Sequence, residues 1–235
     1  MRRSIARLAR LPGNVKGLLL ILLSTLCVSG MQAMVRHIAS DLPPFEIAFF
    51  RNLFGLVVLA PLLLRHGAAP LKTERFTAHL GRGVLNALSM LSFFTGVSLT
   101  PLANVAALSF TAPLFATIGA ILLLKEQARR GRWLALGIGF LGMLTMLRPG
   151  ADLLQSGGLY IVFSSGLWAA SLLIIKSLAR TESSLTITLD MGLWLTPLTG
   201  LAAAFVWQTP NVLQLAWMLA IGALGTLGHL ENLWR

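Results

Sequence analysis

Eight apolar runs, each bounded by charge, proline or glycine, occupy nearly the whole of this chain: Gly17–Arg36, Phe45–Leu64, Gly83–Leu99, Leu102–Leu124, Trp133–Leu147, Gly158–Ser177, Leu185–Val206 and Leu215–Leu230. A helix needs about 20 mostly apolar residues to cross ~30 Å of hydrocarbon, and most of these runs reach or approach that length. Only 11% of the residues are charged, against about 25% in an ordinary soluble domain. The expectation is an all-α, polytopic transmembrane helical bundle of about eight spans. The 235 residues leave no room for a sizeable soluble domain beside them.

Charge orients the spans. With the N-terminus inside, sixteen of the nineteen Lys and Arg residues fall in cytoplasmic segments, Arg36 and Arg148 fall outside, and Arg51 lies within the second run. One missed or invented span would exchange the sides of everything after it, so the count of eight and the N-inside orientation support each other. This reading places the chain in the cell inner (plasma) membrane with a cytoplasmic N-terminus. The same distribution accounts for the net charge of +11 through loop retention and anionic lipid rather than nucleic acid. The first run, from Gly17 to about Val35, is too long for a signal-peptide core and reads as a retained span. Cys27 stands alone, so it neither staples the fold nor builds a multi-cysteine metal site.

A shift of 140 residues sets Ile21, Ser24, Thr25 and Arg36 of the first run against Ile161, Ser164, Ser165 and Lys176 of the sixth. Five spans separate the two copies, and an odd number inverts the second relative to the first, the plan of many secondary transporters. Two such units need about 280 to 300 residues and ten spans, so the second unit is expected to be incomplete, with three spans, and the chain to be C-terminally truncated.

Ionisable groups within spans are costly, about 2.5 to 3.5 kcal/mol at a helix centre on insertion scales, and each is a candidate for function. Asp190 lies about six residues into the seventh run; it either faces a cavity, for proton coupling or cation binding, or pairs with Arg51 or reaches water. Arg51 falls opposite Asp190 under a shift of 139, which suits an ion pair, a clamp for an anionic or zwitterionic substrate, or an interfacial anchor. Glu46 reads as a solvated helix-end residue, and Arg36 and Lys176 as span ends that reach headgroups. Asn86 and Asn104 can bind substrate or bond a neighbouring helix, with packing favoured for Asn86 and a helix-start role for Asn104. Trp168 and Trp194 lie within spans, to stack on a substrate or to pack inside the bundle; Trp133, Trp207 and Trp217 fit interface belts. Pro113 breaks the backbone ladder in mid-span and is a hinge candidate. Ala112, Ala116 and Ala120, and Ala135 with Gly139, form small-residue stripes for close helix approach. The four histidines, His37, His66, His79 and His229, have no metal-ligand spacing. No Gly-Lys-Ser/Thr loop supplies ATP binding, and no nucleophile has a base and orienter beside it. The chain is therefore read as a non-enzyme without cofactor or metal.

The stretch Leu99-Thr-Pro-Leu-Ala-Asn-Val-Ala-Ala-Leu-Ser-Phe-Thr-Ala-Pro-Leu-Phe-Ala-Thr-Ile-Gly-Ala-Ile-Leu-Leu-Leu-Lys-Glu126, followed by a basic loop and Trp133-Leu-Ala-Leu-Gly-Ile-Gly-Phe-Leu-Gly142, resembles the end of an EamA domain of the drug/metabolite transporter superfamily. Phe50-Arg51-Asn52 in the second run is similar to that family's pattern, with Arg51 at its second-span arginine. The resemblance implies a basic cytoplasmic segment at 1–16, a first five-span unit at 17–148 and a second, incomplete unit at 157–235. It also implies secondary transport of a small metabolite or drug-like compound by alternating access, without ATP, and many such carriers act as homodimers. A truncated, transport-inactive membrane fragment of such a carrier is the alternative.

Overall fold

The computed structural model describes residues 13–66, 73, 75–127, 129–147 and 156–227. The basic segment before residue 13, the turn at Arg148 and the chain from 228 onward lie outside the described residues. Backbone donors and acceptors find no water in hydrocarbon, so apolar runs of this length close their hydrogen bonds internally as helices. The elements are α1 (Gly13–Ile38), α2 (Pro44–His66), α3 (Phe76–Leu99), α4 (Leu102–Ser109), α5 (Thr111–Leu124), α6 (Arg130–Leu147), α7 (Ser156–Leu178), α8 (Ser184–Ala204) and α9 (Val212–Leu227). There is no strand among the described residues.

Each expected run holds helix over its described residues, apart from Phe205 and Val206 at the end of the seventh, with two informative departures. The fourth run is two helices broken at Phe110. Proline crowds the carbonyl four residues before it, and Pro113 therefore acts on Ser109, the last residue of α4. The other departure is α3, which begins at Phe76 rather than Gly83 and so takes His79 and Arg82 into a helix. Helix ends follow local chemistry. The Ser183 hydroxyl accepts the Thr186 N–H at 3.1 Å to cap α8. Lys125 adopts a left-handed conformation with φ 53° after α5, turning Glu126 back toward Ala120, whose carbonyl accepts its N–H at 3.2 Å. α4 starts from Pro101 without a side-chain cap, so Asn104 does not perform the helix-start role expected of it.

Four stretches are each long and apolar enough to cross a membrane on their own: Gly17–Ile38, Leu102–Leu124, Gly157–Leu178 and Thr186–Ala204. The bundle is apolar on the outside, with Leu18, Leu22 and Leu26 of α1, Leu122 and Leu123 of α5, and Leu134 and Ile138 of α6 exposed. Inside, Val35 and Ile38 of α1, Ile47 and Phe50 of α2, Phe94 and Val97 of α3, and Met218 and Ile221 of α9 form a common core.

The central pairs are α3 with α7 and α2 with α8, flanked by α2 with α9, α3 with α8, and α1 with α9. α3 and α7 run antiparallel in a continuous register. Arg75 meets Ser177, Ser89 meets Ser164, and Gly96 meets Ile161 and the Gly157 carbonyl. Ser89 and Ser164 each donate a hydroxyl to the other's carbonyl, at 2.9 and 2.8 Å, so the mid-seam is closed by a reciprocal polar clasp. Ala116 and Ala120 of the α5 stripe face a cleft shared with Leu172 and Leu173 of α7, and Ala112 is buried. The stripe on α6 has no such neighbour: Ala135 is exposed and a Cβ at Gly139 would meet open space.

Candidate functional site

Two buried polar groups lie between the segment up to residue 147 and the segment from 156 onward. The first sits at the end of the bundle that carries the α2–α3 and α7–α8 connections. α3 and α8 run parallel there and approach closely at Gly83, where a Cβ would stand 2.7 Å from the Trp194 Cβ. One helical turn earlier on each helix, His79 faces Asp190, with Nδ1 2.8 Å from Oδ2. The N–H is not aimed along that contact, and both atoms are otherwise without a hydrogen-bond partner. His79 Nε2 meets the Glu182 carboxylate in the α7–α8 turn, which also accepts the Thr73 hydroxyl. Arg82 donates to the Ile187 carbonyl at 2.8 Å, and Arg75 donates to the Ser177 carbonyl at 3.1 Å and hydroxyl at 3.0 Å. His79, Arg82 and Asp190 are all buried.

Glu182 lies outside the spans. Burial pushes its carboxyl up, but hydrogen bonds from Thr73 and His79 and the charge of Arg75 outweigh this and hold it below the ordinary glutamate value. The cluster is thus a set of two arginines, one histidine and two carboxylates joining α3 to the α7–α8 hairpin. Buried charge on this scale persists only when paired.

The second group lies deeper, between α2, α8, α9 and α1. Arg51 is only 8% exposed and donates through Nη1 to the Asn52 amide oxygen at 2.9 Å. Asn52 in turn donates to Thr199 Oγ1 at 3.2 Å and approaches the Met90 sulfur at 3.3 Å. Gly225 of α9 admits the guanidinium, since a Cβ there would stand 2.8 Å from Arg51 Nε. Nε itself is buried without a partner, and no carboxylate is paired with Arg51 among the described residues. A buried guanidinium held by one neutral amide has strong capacity left to receive an anion.

The expected Arg51–Asp190 ion pair is therefore absent: their helices place Arg51 against Asn52 and Asp190 against His79. Glu46 is not a solvated end residue; it is fully buried, because the α8–α9 connection folds over it and the Gln208 N–H donates to Oε1 at 2.6 Å. Arg36 turns inward rather than to headgroups, donating to the Val97 carbonyl at 3.0 Å and to that of Ser98 at the C-terminal end of α3. Lys176 pairs with Glu126, and that hydrogen bond holds the Glu126 carboxyl below its ordinary value. Beside this pair a cleft of about 190 Å³ is lined by Ala116, Thr117, Leu173 and Lys176 among others, small against the 300 Å³ or so of ordinary ligand pockets.

Among the other candidates, Asn86 is buried in α3. Trp194 is half-buried, its ring edge-on to Phe76 at 5.3 Å. Trp168 is 45% exposed, so its ring covers the outside of α7 rather than packing inside the bundle. Pro113 is exposed at the start of α5. Neither hydropathy nor charge order singles out His79, Arg82 or Glu182 as site residues. The signal for two of them was present: extended back to Phe76, α3 carries His79 and Arg82 three residues apart on one face.

Comparison with known proteins agrees with this architecture. Residues 15–148 match the EamA-like transporter family. The chain is 32% identical over 206 residues to the S-adenosylmethionine uptake transporter of Rickettsia bellii, covering 88% of this chain and 71% of that protein. It is 34% identical to the riboflavin transporter of Rhizobium johnstonii, over 89% of this chain and 70% of that one, and 29% identical to the pseudopaline exporter CntI of Pseudomonas aeruginosa, over 91% and 75%. A solved protein structure of 18% identity superposes with a TM-score of 0.69 over 93% of this chain and 78% of its own, which shows a shared fold. The family match over more than half of the chain and relatives named as metabolite transporters point to a transport protein rather than an enzyme: the chain belongs to the EamA-like transporter family, whose work is the passage of small molecules across a membrane.

Proposed function

We propose that this protein is a secondary carrier that moves a small, carboxylate-bearing metabolite by alternating access between two inverted units, with Arg51 as the carboxylate-binding residue. One observation carries the proposal: Arg51 is buried in mid-bundle with an unpartnered Nε and no paired carboxylate among the described residues. An uncompensated charge of this kind is expensive in a static bundle and is retained where a substrate supplies the counter-charge. Asn52 orients the guanidinium, and Asn86 of α3 with Asp190 and Trp194 of α8 are read as further pathway residues on the neighbouring helices. The phosphate-loop motif that ATP-driven transport would use is not in the sequence.

The contact pattern supports the inverted plan. Exchanging the first three spans for the sixth, seventh and eighth turns the α1–α9 contact into α7–α3, turns α2–α9 into α8–α3, and returns α2–α8 to itself. Two units that swap these contacts by rocking open a midplane site to one side at a time. The basic residues favour a cytoplasmic N-terminus in a plasma membrane.

The test is uptake into proteoliposomes containing the full chain. S-adenosylmethionine, which carries an α-carboxylate beside two cationic groups, is compared with riboflavin, which has no carboxylate. The expected result is saturable uptake of the former, lost in Arg51→Met. Uptake of riboflavin alone would overturn the role of Arg51, and background uptake of both by correctly inserted protein would overturn the carrier reading.

A further inference from the structure

We infer that His79, Glu182 and Asp190 form a proton-binding gate at the end of the bundle bearing the α7–α8 turn, closed when the three groups share one extra proton and opened by its release. The inference rests on the carrier reading above.

Proton counting carries it. His79 presents both ring nitrogens to carboxylate oxygens, Nε2 to Glu182 and Nδ1 to Asp190 at 2.8 Å. A neutral imidazole has a single N–H. With both carboxylates ionised, its bare nitrogen would set a lone pair against an anionic oxygen, a repulsive contact that burial of His79 and Asp190 strengthens. Bridging both contacts takes two protons among the three groups. Once His79 parts from either carboxylate, a neutral imidazole and two carboxylates need only one. Separation therefore releases one proton, and closure takes one up.

The site is placed for gating. Thr73, Arg75, His79 and Arg82 come from the segment before residue 148, whereas Ser177, Thr181, Glu182, Ile187 and Asp190 come from the segment after 155, and the contacts of His79, Arg82 and the Glu182 carboxylate join the two. The charged groups facing the imidazole are Arg82 from its own helix, Arg75 from the segment before it, Glu182 from the α7–α8 turn and Asp190 from α8. The two arginines balance the two carboxylates, leaving the shared proton as the variable charge. The unaligned contact between Nδ1 and Asp190 Oδ2, with neither atom otherwise bonded, marks the joint that can change partner at least cost.

The closed form binds more protons, so it is favoured at low pH and lost as pH rises, with the open-to-closed ratio changing at most about tenfold per pH unit for one proton. The experiment uses the full-length chain in detergent, with Cys27→Ser and a reporter Ile187→Cys, at the buried residue whose carbonyl accepts from Arg82. The rate of maleimide labelling is measured from about pH 5.5 to 7.5 and divided at each pH by the rate for the same reporter in His79→Gln, which removes the ionisation of the thiol itself. The ratio is expected to rise at least about fivefold across that range. The conservative Glu182→Gln, read the same way, should give a flat ratio, and it serves as the denominator if His79→Gln does not fold. A ratio constant within about twofold, or Glu182→Gln retaining the parental profile, would overturn the gate. S-adenosylmethionine uptake measured in parallel keeps the two readings apart. Uptake with a flat labelling ratio refutes the gate alone, and a rising ratio without uptake of any probe refutes the carrier reading alone.

Discussion

If Arg51 is kept for a substrate, removing it should spare the fold while abolishing transport, whereas removing its one neutral partner should damage the fold. Replacing Arg51 with methionine, of similar length, takes away a buried charge; such replacements are often neutral or stabilising by about 1 to 4 kcal/mol. Against this, the Asn52 amide oxygen loses the N–H it now accepts at 2.9 Å, and an unsatisfied buried acceptor costs about 1 to 3 kcal/mol. The net lies near zero. Asn52→Ala behaves differently. It strips the guanidinium of its hydrogen bond, which to a charged group contributes about 1.5 to 3 kcal/mol, and removes the 3.2 Å interhelical bond to Thr199, which contributes about 0.6 kcal/mol more. At about 2 to 4 °C per kcal/mol for a chain of this size, Arg51→Met should hold the apparent unfolding midpoint within a few degrees. Asn52→Ala should lower it by about 4 to 15 °C. Tryptophan fluorescence during a thermal ramp in one detergent reads both midpoints, and proteoliposome uptake reads the activity. A fall in Arg51→Met as deep as that in Asn52→Ala would show that the guanidinium holds the helices together, and would refute the functional assignment.

The other predictions concern the seams that carry these groups. At Gly222 an added Cβ would stand 2.7 Å from the Phe54 Cβ and 3.1 Å from the Arg51 carbonyl; Gly222→Ala should therefore push α9 off α2 and cost about 1 to 3 kcal/mol, read as a lower unfolding midpoint. Ser89→Ala and Ser164→Ala each break the clasp between α3 and α7, so the double variant should fall less than the sum of the singles in a thermal-denaturation cycle, where additivity would deny the coupling. Pro113→Ala supplies the missing N–H opposite Ser109; it should leave the midpoint equal or higher and slow turnover in proteoliposomes, and unchanged turnover would remove the hinge role.

Much of the fold was legible because the information is local. Apolar length, the prolines at 43, 44 and 101 and the glycine-rich ends locate the helices to within a few residues, since a chain in lipid has few other ways to satisfy its backbone. The exception at α3 has the same origin: charge marks span ends, which places Arg82 and His79 before the third run, yet partners in the α7–α8 turn and on α8 let the helix carry them inward. Asp190 was found by its depth in an apolar run, and Arg51 by its depth together with the family pattern. The partner of Asp190 was not legible because His79 lies 111 residues away in the chain, and Asn52, although adjacent to Arg51, carries no sequence signal that its amide oxygen accepts from the guanidinium.

What the sequence determined by itself is thus the class of solvent, the helices and the family, all of which depend on spacing along the chain and on hydropathy. Only the tertiary structure decided which buried groups meet: Arg51 with Asn52 rather than Asp190, His79 with two carboxylates, Glu46 under the α8–α9 connection and Arg36 on the end of α3. The physical reason is that side-chain partners depend on how helices rotate and cross. Close approaches at Gly83, Gly222 and Gly225 set that geometry, and neither hydropathy nor charge order encodes it.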